Sequence, residues 1–271
     1  MLKEKLPFLE DRCGYLFFAD YHSLTSRMHT HEALELNIVV QGSVTYLIDE
    51  KHYHLNAGSC LWIFEQQAHM IVDAAPDLSL LIVVYKQGSI KEKAQSSWVS
   101  KLKEIHPDRV FCRVLHMQQV KESVKIANSL IDAEHLLEFQ EAGLFWLLFS
   151  VWKSFTAAEE IVGNDCHSLV RRVLDLIQED PTIQVVKICE KIHTSRGYIS
   201  GLFHDQMGLT IPEFRNRVRL EQFFENYQTS RNILDCALDS GFGSYAQFYR
   251  VFLKMTGKTP RTFLNEHNRP Y

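Results

Sequence analysis

Between residues 15 and 85, apolar residues come in short runs: Leu34–Val40, Val44–Ile48, Cys60–Phe64 and Leu78–Tyr85. Turn formers separate them at Gly42-Ser43, Asp49-Glu50, Asn56-Ala57-Gly58 and Asp73–Pro76. Several short strands at this spacing predict an all-β sandwich or barrel. From Val114 to Phe155 the period changes to that of a helix. Val120, Val124, Ala127, Leu130 and Ile131 fit one helical face, and Ala142–Phe155 is apolar nearly all round. A helix of that kind must be covered by protein, either the barrel and the preceding helix or a second copy of the chain. Residues 156–166, TAAEEIVGNDC, are small and acidic and read as a linker.

The last hundred residues are helical throughout. His167–Glu179 is amphipathic and is stopped by Asp180-Pro181. A shorter helix over Gln184–Lys191 leads through the turn His193-Thr194-Ser195, where Thr194 or Ser195 caps the next one. That helix, Arg196–Met207, is expected to bury Tyr198, Ile199, Leu202 and Phe203. It leaves Arg196, Gly197, Ser200, Gly201 and His204 free, and Gly208 closes it. A long helix over Ile211–Tyr227 carries Arg215, Arg217 and Arg219. Asn232–Asp239, the turn Gly241-Phe242-Gly243 and Ser244–Met255 then repeat the helix-turn-helix outline. Phe248, Phe252 and Met255 mark the inner face of the final helix. Ser244, Tyr245, Gln247, Tyr249, Arg250 and Lys254 are expected outside. The prediction is thus a mixed, two-domain chain: a β-barrel over 1–113 with following helices over 114–160, and an all-α domain over 161–271. Its two helix-turn-helix segments lie near 188–207 and 232–255, joined by a long helix.

Charge sharpens this division. The net charge of −4 argues by itself against a nucleic-acid binder. From Cys166 onward, however, there are 14 Lys and Arg against 11 Asp and Glu, while residues 1–165 hold 15 against 22. The basic half is the helical one, as expected if it meets an anion. No run of about 18 apolar residues appears and the N-terminus lacks a signal-peptide core, so the expected compartment is the cytoplasm. Six scattered cysteines without a CxxC pair read as free thiols there.

In the β half, His29, His31, Glu35 and Asn37 share one parity and would face one side of an extended chain, with His69 following a later strand. Three imidazoles and a carboxylate suit a divalent transition metal such as Zn, Ni, Fe or Mn. The same residues, with Asn37, could instead bind a small molecule with no metal, so no cofactor is required. His29-Thr30-His31, Glu35 and Gly42 resemble the first motif of the cupin family, and Gly58 and His69 hold the spacing of its second. Phe64 and Gln66 stand where that motif has Pro and Gly. The resemblance implies a cupin-like barrel with those four residues as ligands. It also opens an alternative function, a metal-dependent isomerase or oxygenase with a vestigial DNA-binding tail.

Residues 167–266 resemble the DNA-binding domain of the AraC/XylS family of transcription regulators. KICEKIHTSRGYISGLFHDQMGLT matches the first helix-turn-helix of that family, and Gly241-Phe242, Phe248, Phe252, Gly257 and Thr259-Pro260 match its signature. VTYLID and NILDCALDSGF are similar to phrases of its sugar-responsive branch. The resemblance implies a regulator of double-stranded promoter DNA whose barrel binds a small effector, such as a sugar or sugar derivative, and the apolar helix over Ala142–Phe155 adds the expectation of a dimer. RNA polymerase would be a further partner if the chain activates. The two reading helices would enter successive major-groove segments. Arg196 and Arg250 are the best base readers, Gln247 a weaker one, and Arg217, Arg219, Lys254 and Lys258 phosphate contacts or structural pairs. Gly201 stands where the family often has a basic residue and weakens its helix by about 1 kcal/mol relative to Ala.

Overall fold

The computed structural model describes the chain except residues 1, 5, 9–11, 22–26, 94–96, 108, 110, 134, 230–231 and 268–271; at 2, 91, 93, 97–99, 228–229 and 266–267 only the backbone is described. Parts of the stretch 91–113 therefore lie outside the described residues. The chain divides into two compact units after Asp165.

The first unit holds β1 (Leu2–Lys3), β2 (Gly14–Asp20), β3 (His29–Thr30), β4 (Ala33–Gln41), β5 (Ser43–Ile48), β6 (Lys51–Asn56), β7 (Ser59–Ile63), β8 (His69–Ala74), β9 (Ser79–Lys86), α1 (Gln87–Lys93), a 3₁₀ turn (Ser97–Lys103), β10 (Phe111–Val114), α2 (Met117–Asp132), α3 (Leu137–Thr156), β11 (Glu159–Glu160) and β12 (Asn164–Asp165). The strands form two six-stranded sheets, ordered β1-β3-β8-β5-β6-β12 and β11-β10-β7-β4-β9-β2. The short apolar runs are strands as expected. β6 and β8 join them, although their His and Asp residues obscure the alternation in the sequence.

β4 is buried on both faces, so its alternation separates two environments. Leu34, Leu36 and Ile38 enter a core with Trp62, Val83, Tyr85 and the helices α2 and α3. Val39 enters a second core with Val44, Tyr46, Leu61, Ile63 and Ile71. Here α3 contributes Leu144, Leu147, Leu148, Val151, Trp152 and Phe155, which explains its unbroken apolar character. Its cover is incomplete: Trp146 is 65% exposed. Of the expected face of α2, Val120, Ala127 and Leu130 are buried, Val124 is half-buried and Ile131 is exposed. The true stripe runs through Ser123, whose hydroxyl is satisfied by the Gln119 carbonyl at 2.9 Å, so a polar residue can hold an inner position.

The segment expected to be a linker is built into both sheets. β11 extends one edge on β10, and β12 extends the other on β6. Arg113 anchors the start of this segment. Its guanidinium donates to the carbonyls of Phe155, Thr156 and Ala158 at 3.1, 2.8 and 3.1 Å, at and just past the end of α3, where the Phe155 carbonyl also accepts from the Ala158 amide at 3.1 Å. Gly163 lies flat on the buried ring of Tyr53, where a Cβ would come within 2.4 Å of the ring.

The second unit is helical: α4 (Ser168–Glu179), α5 (Val185–Lys191), α6 (Arg196–Met207), α7 (Ile211–Thr229), α8 (Ile233–Asp239), α9 (Tyr245–Thr256) and α10 (Pro260–His267). His167, Ser195, Asn232 and Ser244 cap their helices through side-chain acceptors. Gly208 and Gly257 end α6 and α9 in the left-handed conformation at φ 73° and 69°. Thr210 and Glu213 form a capping box at the start of α7: the carboxylate accepts from the Thr210 amide at 3.0 Å and hydroxyl at 2.8 Å. Its other oxygen accepts from Lys254 of α9 at 3.0 Å. The Thr210 amide foremost, then Lys254, hold the Glu213 carboxyl down at about 2.

Two outcomes follow from these ties. Arg113→Met takes the side-chain donor from the Thr156 and Ala158 carbonyls and should cost about 1–3 kcal/mol in urea unfolding, with faster amide exchange over residues 157–165. Glu213→Gln should cost up to about 1 kcal/mol near neutral pH, since the pair is exposed and screened. Because its folded pKa is depressed, that stabilisation is present above about 4.5 and is lost as pH falls towards about 2. The melting difference between wild type and variant should vanish over that window.

Candidate functional site

The inward face of β4 carries Glu35 and Asn37 into the space between the sheets. Asn37 Nδ2 donates to Glu35 Oε1 at 2.7 Å, and Tyr46 on β5 donates its hydroxyl to Asn37 Oδ1 at 3.1 Å. His31 Nε2 lies 3.1 Å from Glu35 Oε2. His69 Nδ1 lies 2.9 Å from the Gln67 carbonyl, which accepts its proton and leaves Nε2 as a lone pair. His31, Glu35 and His69 each offer a ligand atom, and these atoms lie within 4.8 Å of one another.

His29 is the departure from the expected foursome. The parity prediction assumed one continuous strand, but the chain bends at Glu32 and passes from one sheet to the other. His29 thus stands on β3 opposite His69, with ring centroids 4.2 Å apart, and its Nε2 lies 3.2 Å from Glu4 Oε2. Three of the four expected residues converge, and the fourth faces the N-terminal segment.

Burial acts on every charge in this cluster. Desolvation would raise the Glu35 carboxyl, but the hydrogen bond and charge of His31, with His69 and Asn37, overcome it and hold the group down to about 2. Desolvation would lower His31, and Glu35 more than offsets it, so its pKa is raised. His69 is pushed down to about 3 by desolvation first and by the neighbouring His29 second. A neutral imidazole with its Nδ1 proton engaged is the form that ligates metals. Two nitrogens, an oriented carboxylate oxygen and a hydrogen-bonded carboxylate partner fit a divalent transition ion. They equally suit a small polar ligand, since His31 Nδ1 is buried without a hydrogen-bond partner among the described residues.

In the helical domain, α6 exposes Arg196, Ser200, Gly201 and His204 together, as expected. Tyr198 corrects the prediction: it is 54% exposed on the same helix rather than packed in the core, while Leu202 is half-buried. Ile199, Phe203 and Met207 supply the buried stripe. On α9, Tyr245, Arg250 and Lys254 are exposed and Tyr249 is half-buried. Ser244 precedes the helix and is its cap, accepting from the Gln247 amide at 3.2 Å. Gln247 is half-buried and its Oε1 accepts from the Gly243 amide at 3.0 Å, which ties that end of its side chain to the turn. Lys254 is engaged by Glu213. Arg250 turns its Nε to the Ala246 carbonyl at 3.3 Å, and Ala246 and Leu253 are exposed beside it. Neither had a polar signature for the sequence to reveal. Arg219, expected as a phosphate contact or a structural pair, is only 5% exposed, and its Nε donates to the Pro181 carbonyl at 2.7 Å.

A family model described as the AraC-like ligand binding domain matches residues 14–120, and a helix-turn-helix domain model matches residues 188–266. The melibiose operon regulatory protein of Escherichia coli (strain K12) is 24% identical over 253 residues, 87% of this chain and 82% of its own length. The HTH-type transcriptional activator RhaR of Enterobacter sp. (strain 638) is 23% identical over 242 residues, 86% of this chain and 84% of its own. Among solved structures, ToxT from Vibrio cholerae O395 aligns over 95% of this chain and 98% of its own, at 16% identity and a TM-score of 0.40. With a ligand-binding domain ahead of a paired helix-turn-helix, the chain belongs to the AraC family of transcription regulators.

Proposed function

We propose that the chain is a dimeric, sequence-specific regulator that works in the cytoplasm on promoter DNA and answers to a sugar or sugar derivative bound in its barrel. The observation that carries the DNA half is the pair of capped helices, α6 and α9, each exposing an arginine on one helical domain. Arg196 and Arg250 would pair bidentately with guanines in successive major-groove segments, with Ser200, Gly201, His204, Tyr245 and Tyr249 alongside. The buried Asn37, Glu35, His31 and His69 offer the mixed donors and acceptors that a polyol needs. The melibiose operon regulatory protein among the similar chains supports a sugar. A ligand can act only by binding one arrangement of the protein better than another.

Dimerisation is supported by the apolar side chains left uncovered around α3. Leu136, Leu137, Phe139 and Trp146 are 50, 44, 47 and 65% exposed. A second copy of the chain would cover them. Contact with RNA polymerase enters only if the outcome is activation. Regulation is preferred over a cupin-type enzyme because the helix-turn-helix half is complete in caps and cores, which a vestigial tail has no reason to keep. When bound, a divalent ion would supply a charged anchor for an effector oxygen, held by His31, Glu35 and His69.

DNA reading is tested by fluorescence anisotropy on a duplex selected by the protein from a random pool. Binding should exceed that of a scrambled duplex and fall steeply with salt. Arg250→Ala should cost about 1–3 kcal/mol on the selected site and relax preference at one position. Equal binding to both duplexes by the wild type would refute the proposal. For the metal, elemental analysis after dialysis against Zn²⁺ should give about one ion per chain, falling to none in His69→Ala. Chelation should leave the fold and the affinity for the selected duplex intact, and absence of stoichiometric metal in the wild type would remove the ion from the scheme.

A further inference from the structure

The helix-turn-helix cores are separate. Leu220, Phe223, Ala237, Phe242, Phe248 and Phe252 form the second core, whereas Phe214 packs against Phe203 of the first. α7 serves both, yet a lone helix would leave the angle between the two readers soft. The contact that removes this freedom lies in the turn Asp180–Ile183, between α4 and α5.

That turn is stiff. Asp180 Oδ1 accepts from the Thr182 amide at 2.8 Å and from its hydroxyl at 2.6 Å, an Asx-type closure. α7 grips it from below: Arg215 Nη1 donates to the Ile183 carbonyl at 2.6 Å and Arg219 Nε to the Pro181 carbonyl at 2.7 Å. The turn of the second helix-turn-helix closes on the same spot. Gly241 sits at φ 84°, and a Cβ there would come within 2.8 Å of Thr182 Cγ2 and 3.5 Å of Arg219 Nε. The Arg219 guanidinium carbon lies 5.9 Å from the centroid of the Phe242 ring. One buried side chain therefore touches the turn leading into the first reader, the linking helix and the turn of the second reader. Lys254 with Glu213 adds an exposed tie from α9 to the start of α7.

We infer that Arg219 is a positioning residue: it sets the spacing at which α6 and α9 meet successive half-sites, and it does not bind phosphate. Burial lowers its pKa to about 10, which leaves it a cation at neutral pH. A methionine could fill its volume but could not hold the Pro181 carbonyl. Two rigidly held readers gain affinity as an effective concentration, and that gain is lost when their geometry loosens. The inference rests on the proposed two-reader binding.

The test uses the full chain and a duplex selected from a random pool, with versions that lack one half-site or carry one extra base pair between the two. For Arg219→Met, circular dichroism and melting establish the fold. Its affinity for the duplex keeping only the second reader's half-site should stay within about twofold of wild type, while the bipartite duplex loses about tenfold or more. The inserted base pair should then cost the variant far less than it costs wild type. Arg219→Lys should restore part of the gain, since its ammonium can reach a carbonyl. Arg215→Met, which removes the second hold on the same turn at the Ile183 carbonyl, should relax the spacing in the same direction and serves as the test if Arg219→Met fails to fold. Unchanged spacing dependence in these variants overturns the inference. So does an equal loss on every duplex with a salt slope reduced by about one, the mark of a phosphate contact. If the wild type itself shows no bipartite preference, the two-reader reading fails instead.

Discussion

The N-terminal domain depends on the burial of both faces of β4. One face must satisfy the helices α2 and α3, and the other must satisfy the opposite sheet. Leu34, Leu36 and Ile38 meet the first demand with apolar atoms alone. Glu35 and Asn37 sit on the second face, where a charge would be costly unless paired. The paired network of His31, Glu35, Asn37 and Tyr46 is the consequence. Polar chemistry at the heart of the barrel and the hydrophobic platform behind it are thus two sides of one strand. A register slip of one residue would exchange them.

The same economy governs the passage between the domains. A small, acidic, glycine-containing segment has little of its own to bury, so pattern alone reads it as free. Free sheet edges on either side change that, because unpaired strand groups recruit whatever backbone passes. β11 and β12 fill those edges, Arg113 holds the end of α3, and Ile161 donates to the Cys112 carbonyl at 2.8 Å. No side-chain signature announces such pairing, since it is made by backbone.

In the helical domain, arginines that look alike along α7 and the reading helices divide by environment. Arg196 is exposed at the start of α6 and Arg250 midway along α9, whereas Arg219 is buried against a turn contributed from almost forty residues earlier in the chain. Lys254 and Gln247, both candidates for DNA, are engaged by Glu213 and the Gly243 amide. The free polar surface of the readers is therefore smaller than their composition suggests, and Tyr198 enlarges it where an aromatic residue was expected inside.

Local rules sufficed wherever a residue's role depends on its near neighbours. The strand runs, the helix limits, the capping by Ser195, the stops at Gly208 and Gly257 and the two helix-turn-helix outlines were all legible, because periodicity, caps and left-handed glycines act within a few residues. The convergence of His31, Glu35 and His69 was legible as spacing, and the family resemblance carried the two-domain assignment. Tertiary structure decided the rest. The bend at Glu32 moves His29 to the other sheet and turns it towards Glu4, an outcome of which sheet each strand joins. Whether Tyr198 is a core ring and whether Arg219 meets solvent depends on what packs above the helix, not on its own period. Residues 159–165 become strands because distant edges were open. In each case the deciding partner lies far away in sequence, and only the folded chain brings it within hydrogen-bonding or packing distance.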